Sequence, residues 1–171
     1  MEKLLFVPNP LLRQKAEKID FVSEKELLIA KKMKEVMLQA PGVGLAANQI
    51  GILKQIVTIY FVDQATKIEK QYTLFNPSIL SYSSEKVMME EGCLSLPEQF
   101  AEIERPKKIE LEYLNDKNKI IKKEVTGVEA RILQHEIDHL KGKLFVDYLS
   151  PLKRNIMIKK VRKILKKNEN N

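Results

Sequence analysis

Hydrophobic positions early in the chain recur every three or four residues, which is the period of a helix. Behind Ser23 they fall at Leu27, Ala30, Met33, Met37 and Leu38. This spacing predicts a helix that packs one broad face on the core. Ser23 and Glu26 form a capping box at its start, and Pro41 ends it because proline disfavours helical backbone at the preceding residue.

The pattern then changes to that of strands. Residues 55–63 are rich in β-branched and aromatic side chains and predict a strand buried on both faces. In residues 108–114, Ile109, Leu111 and Tyr113 alternate with glutamates, which predicts one strand of a hairpin with a solvent-exposed face. Residues 120–125 form its second strand. Further short strands are predicted at 72–75, which Asn76-Pro77 ends, and at 79–82 and 86–89.

Two more helices are expected in the last third of the chain. The first begins at Thr126, where Thr126 and Glu129 read as a second capping box, and stops near Gly142. The second begins at Ser150-Pro151, with serine as the cap and proline in the first turn. Its apolar positions are Leu152, Ile156, Val161, Ile164 and Leu165.

These elements predict an α+β fold. Antiparallel or mixed sheets pack around a central helix that follows Thr126, with an N-terminal helix and a C-terminal helix completing the fold. A length of 171 residues suits one domain, residues 1–171, with enough chain to bury a core.

Composition narrows the class of protein. Hydrophobic residues make up 44% of the chain and charged residues 31%, which is typical of soluble globular proteins. No apolar run is long enough to span a membrane, so no membrane partner is expected. Cys93 is the single cysteine and no signal peptide is visible, which favours a reducing cytoplasmic location. We expect a monomer.

The net charge of +7 comes entirely from the C-terminal segment. Up to residue 150, 22 basic residues balance 22 acidic ones. Beyond it, eight lysines and arginines between Lys153 and Lys167 face only Glu169. A solvated helix face is the usual meaning of such a run. Its one-sidedness also fits an anionic partner, such as nucleic acid bound without sequence preference.

Candidate chemistry lies in the central helix. The stretch from Gln134 to His139 contains the motif H-E-x-x-H. Side chains four residues apart on a helix share a face, so His135 and His139 can hold one metal ion and Glu136 can move protons beside it. The motif also arises by chance in helices that hold no metal.

A catalytic zinc-like site needs a third protein ligand, for which Cys93 in Glu-Gly-Cys-Leu-Ser is the candidate. A buried structural cysteine is the plainer alternative. The segment from Gly42 to Gln49 contains two glycines and several small residues, which suits close approach of a ligand to the backbone. A turn that leaves a helix explains it equally well.

Taken in order, the motifs G-V-G-L-A-A-N-Q (42–49), E-G-C-L-S (91–95) and Q-H-E-I-D-H-L-K-G (134–142) resemble the peptide deformylase family over nearly the whole chain. The resemblance implies hydrolytic removal of the formyl group from the N-terminal formyl-methionine of nascent polypeptides. Cys93, His135 and His139 would bind one divalent ion, physiologically Fe²⁺, with Zn²⁺, Ni²⁺ or Co²⁺ in purified protein. Glu136 would transfer protons, and the Leu94 N–H and Gln49 side chain would stabilise the oxyanion.

The resemblance also implies a binding site for the N-formyl-methionyl peptide. Its methionine pocket would be formed by Val43, Met89, Val128 and Ile132. The peptide backbone would pair with the main chain from Val43 through Gly44 to Leu45. Arg131 stands where some members carry an aliphatic residue and is left out of the pocket. Phe100 stands where some relatives carry arginine, which leaves open how the far end of the peptide is held.

Further residues are expected to support the metal ligands from behind. Gln134 and Asp138 are expected to orient the metal ligands, and Arg105 with Glu91 to form a supporting ion pair. The resemblance further implies that the basic C-terminal helix, here residues 153–171, docks on the ribosome near the exit tunnel, as in bacterial members.

Two other functions are compatible with a metal site. A zincin endopeptidase normally takes its third ligand from a later histidine or glutamate, but Asp147 is the only acidic residue between His139 and the basic tail. A non-catalytic RNA-binding module with a structural metal is the other, and it would need neither Gln49 nor Glu136.

Overall fold

The computed structural model describes residues 4–64 and 66–169, which contain three α-helices and seven strands. In chain order the elements are α1 (Glu24–Gln39), β1 (Gly44–Ala46), β2 (Ile56–Val62), β3 (Glu69–Tyr82), β4 (Lys86–Cys93), β5 (Leu96–Pro106), β6 (Lys108–Leu114), β7 (Ile120–Thr126), α2 (Gly127–Leu140) and α3 (Pro151–Glu169). Short 3₁₀ turns lie at Pro10–Arg13, Ala47–Ile50 and Phe145–Tyr148.

The strands form two antiparallel sheets. Five of them pair in the order β1-β2-β3-β6-β7, and β4 pairs with β5 as a separate hairpin. The hairpin of β6 and β7 keeps one-to-one register from Lys108 opposite Thr126 to Leu114 opposite Ile120, as its alternating pattern predicts. The α+β class predicted from the sequence is confirmed, and the sheets are antiparallel rather than mixed.

Three hydrophobic clusters position the elements. Helix α2 packs Ile132, Leu133 and Ile137 on the inner face of the five-stranded sheet. Helix α1 buries Met33 and Met37 against the region where β1 and β2 begin. Helix α3 places Val161, which is fully buried, against Leu96 and Ile103 of β5 and against the Phe145–Tyr148 turn. Each such side chain contributes roughly 1.5–3 kcal/mol of burial free energy.

The predicted end of a strand at Asn76-Pro77 is wrong, because β3 continues from Glu69 to Tyr82. Asn76 adopts a positive φ of 50°, and the register with β6 shifts between Phe75 and Ser78. The Asn76 side chain accepts a hydrogen bond from the Ile19 N–H and donates one to the Ile19 carbonyl. Pro77 lies within this bulge, where strand pairing does not require the backbone N–H that proline lacks.

The two predicted capping boxes have different outcomes. At α1 the box is confirmed, since the Ser23 hydroxyl accepts from the Lys25 N–H and Glu26 accepts from the Ser23 N–H. At α2 it is wrong, since the Thr126 hydroxyl donates to the carbonyl of Lys107 instead. Glu129 turns toward the sheet, where Lys70, Tyr72 and Lys123 bind its carboxylate.

The predicted apolar faces of the outer helices are partly wrong. Leu27 and Leu38 on α1 and Leu152 and Ile156 on α3 are exposed. On α3 the residues that pack on the core with Val161 are Met157, Ile158 and Leu165. None of the described helices is both long enough and apolar enough to cross a membrane.

Candidate metal centre and active site

Helix α2 presents two imidazoles on one face. His135 and His139 lie one turn apart, both are buried, and their ring centroids are 5.0 Å apart in an edge-on arrangement. The helix ends just beyond them. Gly142 adopts a φ of +72°, the left-handed conformation that glycine supplies after a helix, and the predicted stop there is confirmed.

Cys93 approaches the histidines from the end of β4, where the register with β5 shifts after Gly92. Its Sγ lies 3.2 Å from His139 Nε2. One ligand atom from each of Cys93, His135 and His139 lies within 4.8 Å of the others. The structure therefore brings together the three residues that the sequence singles out as metal ligands.

The donor set fits a divalent metal ion. One thiol and two imidazoles form the type of three-ligand set that leaves a coordination position for water. Within the described chain, two buried polar atoms in this region have no hydrogen-bond partner, namely His139 Nδ1 and Glu136 Oε2. Such atoms are costly to bury unless a further group satisfies them. Water held by a cation at this site would do so for Glu136 Oε2, whereas His139 faces Cys93 through Nε2 and so turns Nδ1 away from it.

Glu91 sets the tautomer of His135. Its Oε2 lies 3.0 Å from His135 Nδ1, while Arg105 binds both of its carboxylate oxygens at 2.6 and 3.0 Å. Burial alone would raise the pKa of Glu91, but hydrogen bonds from His135 and Arg105 outweigh it and hold that pKa well below its usual range. The ionised carboxylate accepts from Nδ1–H, which leaves the lone pair of His135 Nε2 available to a metal. The expected Arg105–Glu91 pair is present.

Glu136 lies against the glycine of β1. A Cβ atom placed on Gly44 would lie only 2.5 Å from Glu136 Oε1, so the carboxylate occupies the space that a side chain would need. Burial raises the pKa of Glu136 to about 7. A group with such a pKa can accept and return a proton near neutrality, and a nearby cation would favour its ionised form.

Gln49 is held so that its amide nitrogen faces Cys93. Its Oε1 accepts from the Ala46 N–H at 2.9 Å, and its Nε2 donates to Ser95 Oγ at 3.2 Å and to Cys93 Sγ at 3.6 Å. Leu94 follows in the turn between β4 and β5 and packs against Gly42.

A cleft of about 390 Å³ opens over these groups. The predicted site residues that line it are Val43, Gly44, Gln49, Cys93, Leu94, His135 and Glu136. His139 lies behind it, with 1% of its surface exposed. The cleft therefore joins a candidate proton carrier, a candidate amide donor and a candidate metal ligand set.

The model of the polypeptide deformylase family matches residues 1–155. The peptide deformylase of Pelagibacter ubique is 44% identical over 166 residues, which cover 96% of this chain and 95% of that protein. The peptide deformylase of Rhizobium meliloti is 41% identical over 167 residues, or 97% of this chain and 95% of that protein. The chain belongs to the polypeptide deformylase family.

Solved structures agree with this assignment. The crystal structure of peptide deformylase from Ehrlichia chaffeensis has a TM-score of 0.93 and 34% identity, with 97% of both chains covered. A second structure from that organism, in complex with actinonin, has a TM-score of 0.89 and 37% identity, with 94% of this chain and 95% of that one covered. The predicted enzyme class, a metal-dependent peptide deformylase, is confirmed.

The residues expected to form the methionine pocket are not all brought to one surface. Val128 is exposed and borders, with Val43, a groove of about 970 Å³ beside the cleft. Leu45 is fully buried, so only its main chain could meet a ligand. Ile132 on α2 is buried in the core, and Met89 is half-buried on β4 opposite Ile103.

Gln134 and Asp138, which the sequence predicts to orient the metal ligands, make no direct hydrogen bond to a ligand within the described structure. Gln134 donates to the carbonyls of Pro106 and Ala130, and Asp138 accepts from Arg105 and Tyr148. Asp138 is connected to His135 only through Arg105 and Glu91. For Asp138 an orienting role therefore stays a prediction, while the Gln134 side chain binds only main-chain carbonyls.

Sequence reasoning missed two parts of the site. Residues 97–99 in β5 line the cleft beside Phe100, whose ring fills the space that a side chain on Gly92 would need. Arg131, which the sequence left outside the pocket, is buried and binds Glu91. The glycine before Cys93 was a signal for close packing there, while nothing in the sequence marked Arg131.

Proposed function

We propose that this chain hydrolyses the formyl group from the amino end of N-formyl-methionyl peptides and releases formate, with Cys93, His135 and His139 holding one divalent cation. The observation that carries the proposal is the convergence of this thiol and these two imidazoles beside a buried carboxylate that lacks a partner. Membership of the deformylase family supports the reaction. The crystal structure of a related deformylase is a complex with actinonin, which supports ligand binding by this family.

The cation, when bound, supplies Lewis-acid activation of water and polarisation of the formyl carbonyl. We propose Fe²⁺ as the physiological ion, because the resemblance to deformylases implies it. Zn²⁺, Ni²⁺ and Co²⁺ accept the same mixture of sulfur and imidazole ligands and would replace it in purified protein.

Glu136 acts as the proton carrier. Its buried carboxylate accepts the proton of the attacking water and later returns it to the leaving amine. Gly44 makes room for this side chain, because a Cβ atom there would occupy the space of the carboxylate.

Gln49 and Leu94 stabilise the oxyanion that forms when water attacks the formyl carbon. The hydrogen bond from the Ala46 N–H fixes the oxygen end of the Gln49 amide and directs its N–H₂ group toward the cleft. The main-chain N–H of Leu94 is the second donor. One such donor is typically worth about 3 kcal/mol in the transition state.

The peptide backbone binds beside β1 from Val43 through Gly44 to Leu45. Strand β1 pairs with β2 along one edge, so an extended peptide can add to its other edge through main-chain bonds. Val43 and Val128 offer apolar surface for the methionine side chain. Met89 and Ile132 are proposed as the deeper wall of that pocket.

The basic face of α3 is proposed to dock on the ribosome near the exit tunnel, where nascent formylated chains emerge. Its net positive charge and the resemblance to bacterial deformylases support this placement. A cytoplasmic, monomeric protein fits such a role.

Substitution of Glu136 tests the proposed function. Glu136→Ala should lower formate release from formyl-Met-Ala-Ser by at least 10²–10⁴-fold, because proton transfer is lost. Metal analysis should find one equivalent of metal retained, since the ligands are untouched. His139→Ala, the matched variant, should lose both metal and activity. Full activity of Glu136→Ala would refute the mechanism.

A further inference from the structure

Arg131 reaches out from α2 and binds three oxygens of the β4–β5 hairpin. Its Nη1 donates to Glu91 Oε1 at 2.9 Å and to the Ile103 carbonyl at 2.7 Å. Its Nη2 donates to the Val87 carbonyl at 2.5 Å. The residue is 7% exposed, so these bonds replace water that the buried guanidinium would otherwise need.

These contacts link the two segments that carry the candidate metal ligands. His135 stands one helical turn after Arg131, and both residues bind the same Glu91 carboxylate through different oxygens. Glu91 lies two residues before Cys93 on β4. Arg131 therefore holds the strand of the cysteine and the helix of the histidines in a fixed relation.

We infer that Arg131 is a positioning residue of the metal centre, which acts through Glu91 and the hairpin carbonyls to keep Cys93 within reach of both imidazoles. The inference rests on the metal site in the proposed function. A guanidinium suits the task because its planar array of donors can meet three acceptors at once, which a lysine ammonium at the end of a flexible stem does less well. Partners behind metal ligands typically change metal affinity 10–100-fold when removed.

The first turn of the same helix offers a comparison. Glu129 on α2 is bound by Lys70 from β3 and by Lys123 from β7, at 2.6 and 2.9 Å. These pairs attach α2 to the five-stranded sheet and touch none of the three ligands. Loss of Lys123 should therefore lower stability without altering the metal site, which separates a structural role from a positioning role.

The test measures Zn²⁺ affinity by competition with a chelator, together with the melting temperature of the metal-free protein. Arg131→Met should bind Zn²⁺ 10–100-fold more weakly, and Arg131→Lys should recover part of that loss. Lys123→Met should keep its Zn²⁺ affinity within about twofold of wild type, because Lys123 contacts neither a proposed metal ligand nor Glu91. If Arg131→Met fails to fold, Arg131→Gln, which keeps one donor group, is compared in the same way.

Wild-type affinity in every folded Arg131 variant would overturn the inference. So would an equal loss of affinity in Lys123→Met, since it would trace the effect to the stability of α2. The Zn²⁺ affinity of His139→Ala shows whether the three proposed ligands bind the ion at all, which separates both results from a failure of the proposed function. If that variant also keeps stoichiometric Zn²⁺ binding, the assignment of the ligands themselves is wrong.

Discussion

Gly44 and Glu136 are more than 90 residues apart in the chain but lie in contact. Because Gly44 has no side chain, the Glu136 carboxylate can lie against its backbone. The notional Cβ of Gly44 would also lie 2.9 Å from Glu136 Cδ and from Cγ, so the contact extends along the side chain. A carboxylate confined in this way loses little freedom when it transfers a proton.

Gly44→Ala should therefore lower the turnover number about 100-fold by displacing Glu136, because misplacement of a catalytic group by about 1 Å can cost that much. Metal content should be unchanged, since the three atoms nearest to the new methyl group all belong to Glu136, which is not a ligand. Formate release and metal analysis on the same preparation provide the measurement. Gly42→Ala is the comparison, because its methyl group would meet the flexible side chain of Leu94. Equal turnover in Gly44→Ala and wild type would show that the contact is unimportant.

The role of a single residue could be predicted from the sequence where it depends only on neighbouring positions in the chain. The spacing of His135, Glu136 and His139 on one helix needs no knowledge of the rest of the chain. Glu91 was noted only as one half of an ion pair, and Arg131 was left outside the pocket, because a buried charge has the same appearance in a sequence as an exposed one. Their burial depends on partners from three separate elements.

Among the elements, strands with alternating hydrophobic residues were the most predictable. The hairpin of β6 and β7 and the buried strand β2 occur close to their expected bounds. Strand β5 was not predicted, because its buried positions include Gln99 and Arg105 as well as Leu96 and Ile103. An inward arginine breaks the alternation that identifies a half-buried strand.

The start of α1 depends on a carboxylate with two sets of partners. Glu26 closes the capping box with Ser23 and lies 2.5 Å from Lys54 Nζ in the segment that precedes β2. Hydrogen bonds from Lys54 and then from Ser23 lower the pKa of Glu26 from 4.5 to about 2. The folded state thus favours the ionised form, and the stabilisation is fully present above pH 4.5 and is lost as the pH falls toward 2.

Glu26→Gln should reduce the free energy of unfolding by about 1–2 kcal/mol at pH 7, since it removes the ion pair and weakens the cap. The difference from wild type should shrink as the pH falls below about 4.5, because the wild-type carboxyl is then protonated more readily on unfolding. Urea unfolding followed by circular dichroism at pH 7, 5 and 3.5 measures it. Glu24→Gln, a change at an exposed residue in the same turn, should lower the free energy of unfolding only slightly at any of these pH values. A difference that does not vary with pH would contradict the pKa assignment.

For the whole molecule, the decisive step is the meeting of three distant segments. Gln49 lies 44 residues from Cys93, and Cys93 lies 46 residues from His139, yet each pair is in contact. Spacing alone left Cys93 open as either a structural residue or a ligand. Only the order of the three motifs, through resemblance to a family, predicted that they share one site, since hydrophobic patterns do not determine which ends of two sheets converge.

Helix α3 serves both the core and the surface. Val161 is fully buried against β5, and Leu165 packs in the same cluster. Removing residues 153–171 would therefore open this core as well as remove the positive charge. A loss of ribosome binding in the deletion variant would therefore have two explanations.

Substitution of exposed basic residues on α3 separates charge from packing. The change to glutamine is made at Lys159, Lys160, Lys163, Lys166 and Lys167, all of which are exposed. Binding to ribosomes should weaken and become less sensitive to salt, because fewer phosphates are neutralised by the bound protein. Formate release from short peptides should stay at the wild-type level, since none of these residues lines the cleft.

Sedimentation with purified ribosomes at about 50 and 200 mM salt measures both quantities, because phosphate contacts lose most of their strength over this range. The matched control neutralises five exposed lysines elsewhere, at Lys86, Lys107, Lys108, Lys117 and Lys119. That variant removes the same charge from the molecule but leaves α3 intact, so it should bind ribosomes more tightly than the α3 variant. If the two variants lose affinity equally, attraction depends on net charge alone and α3 is not the docking surface. If neither loses affinity, the ribosome is not bound through these charges.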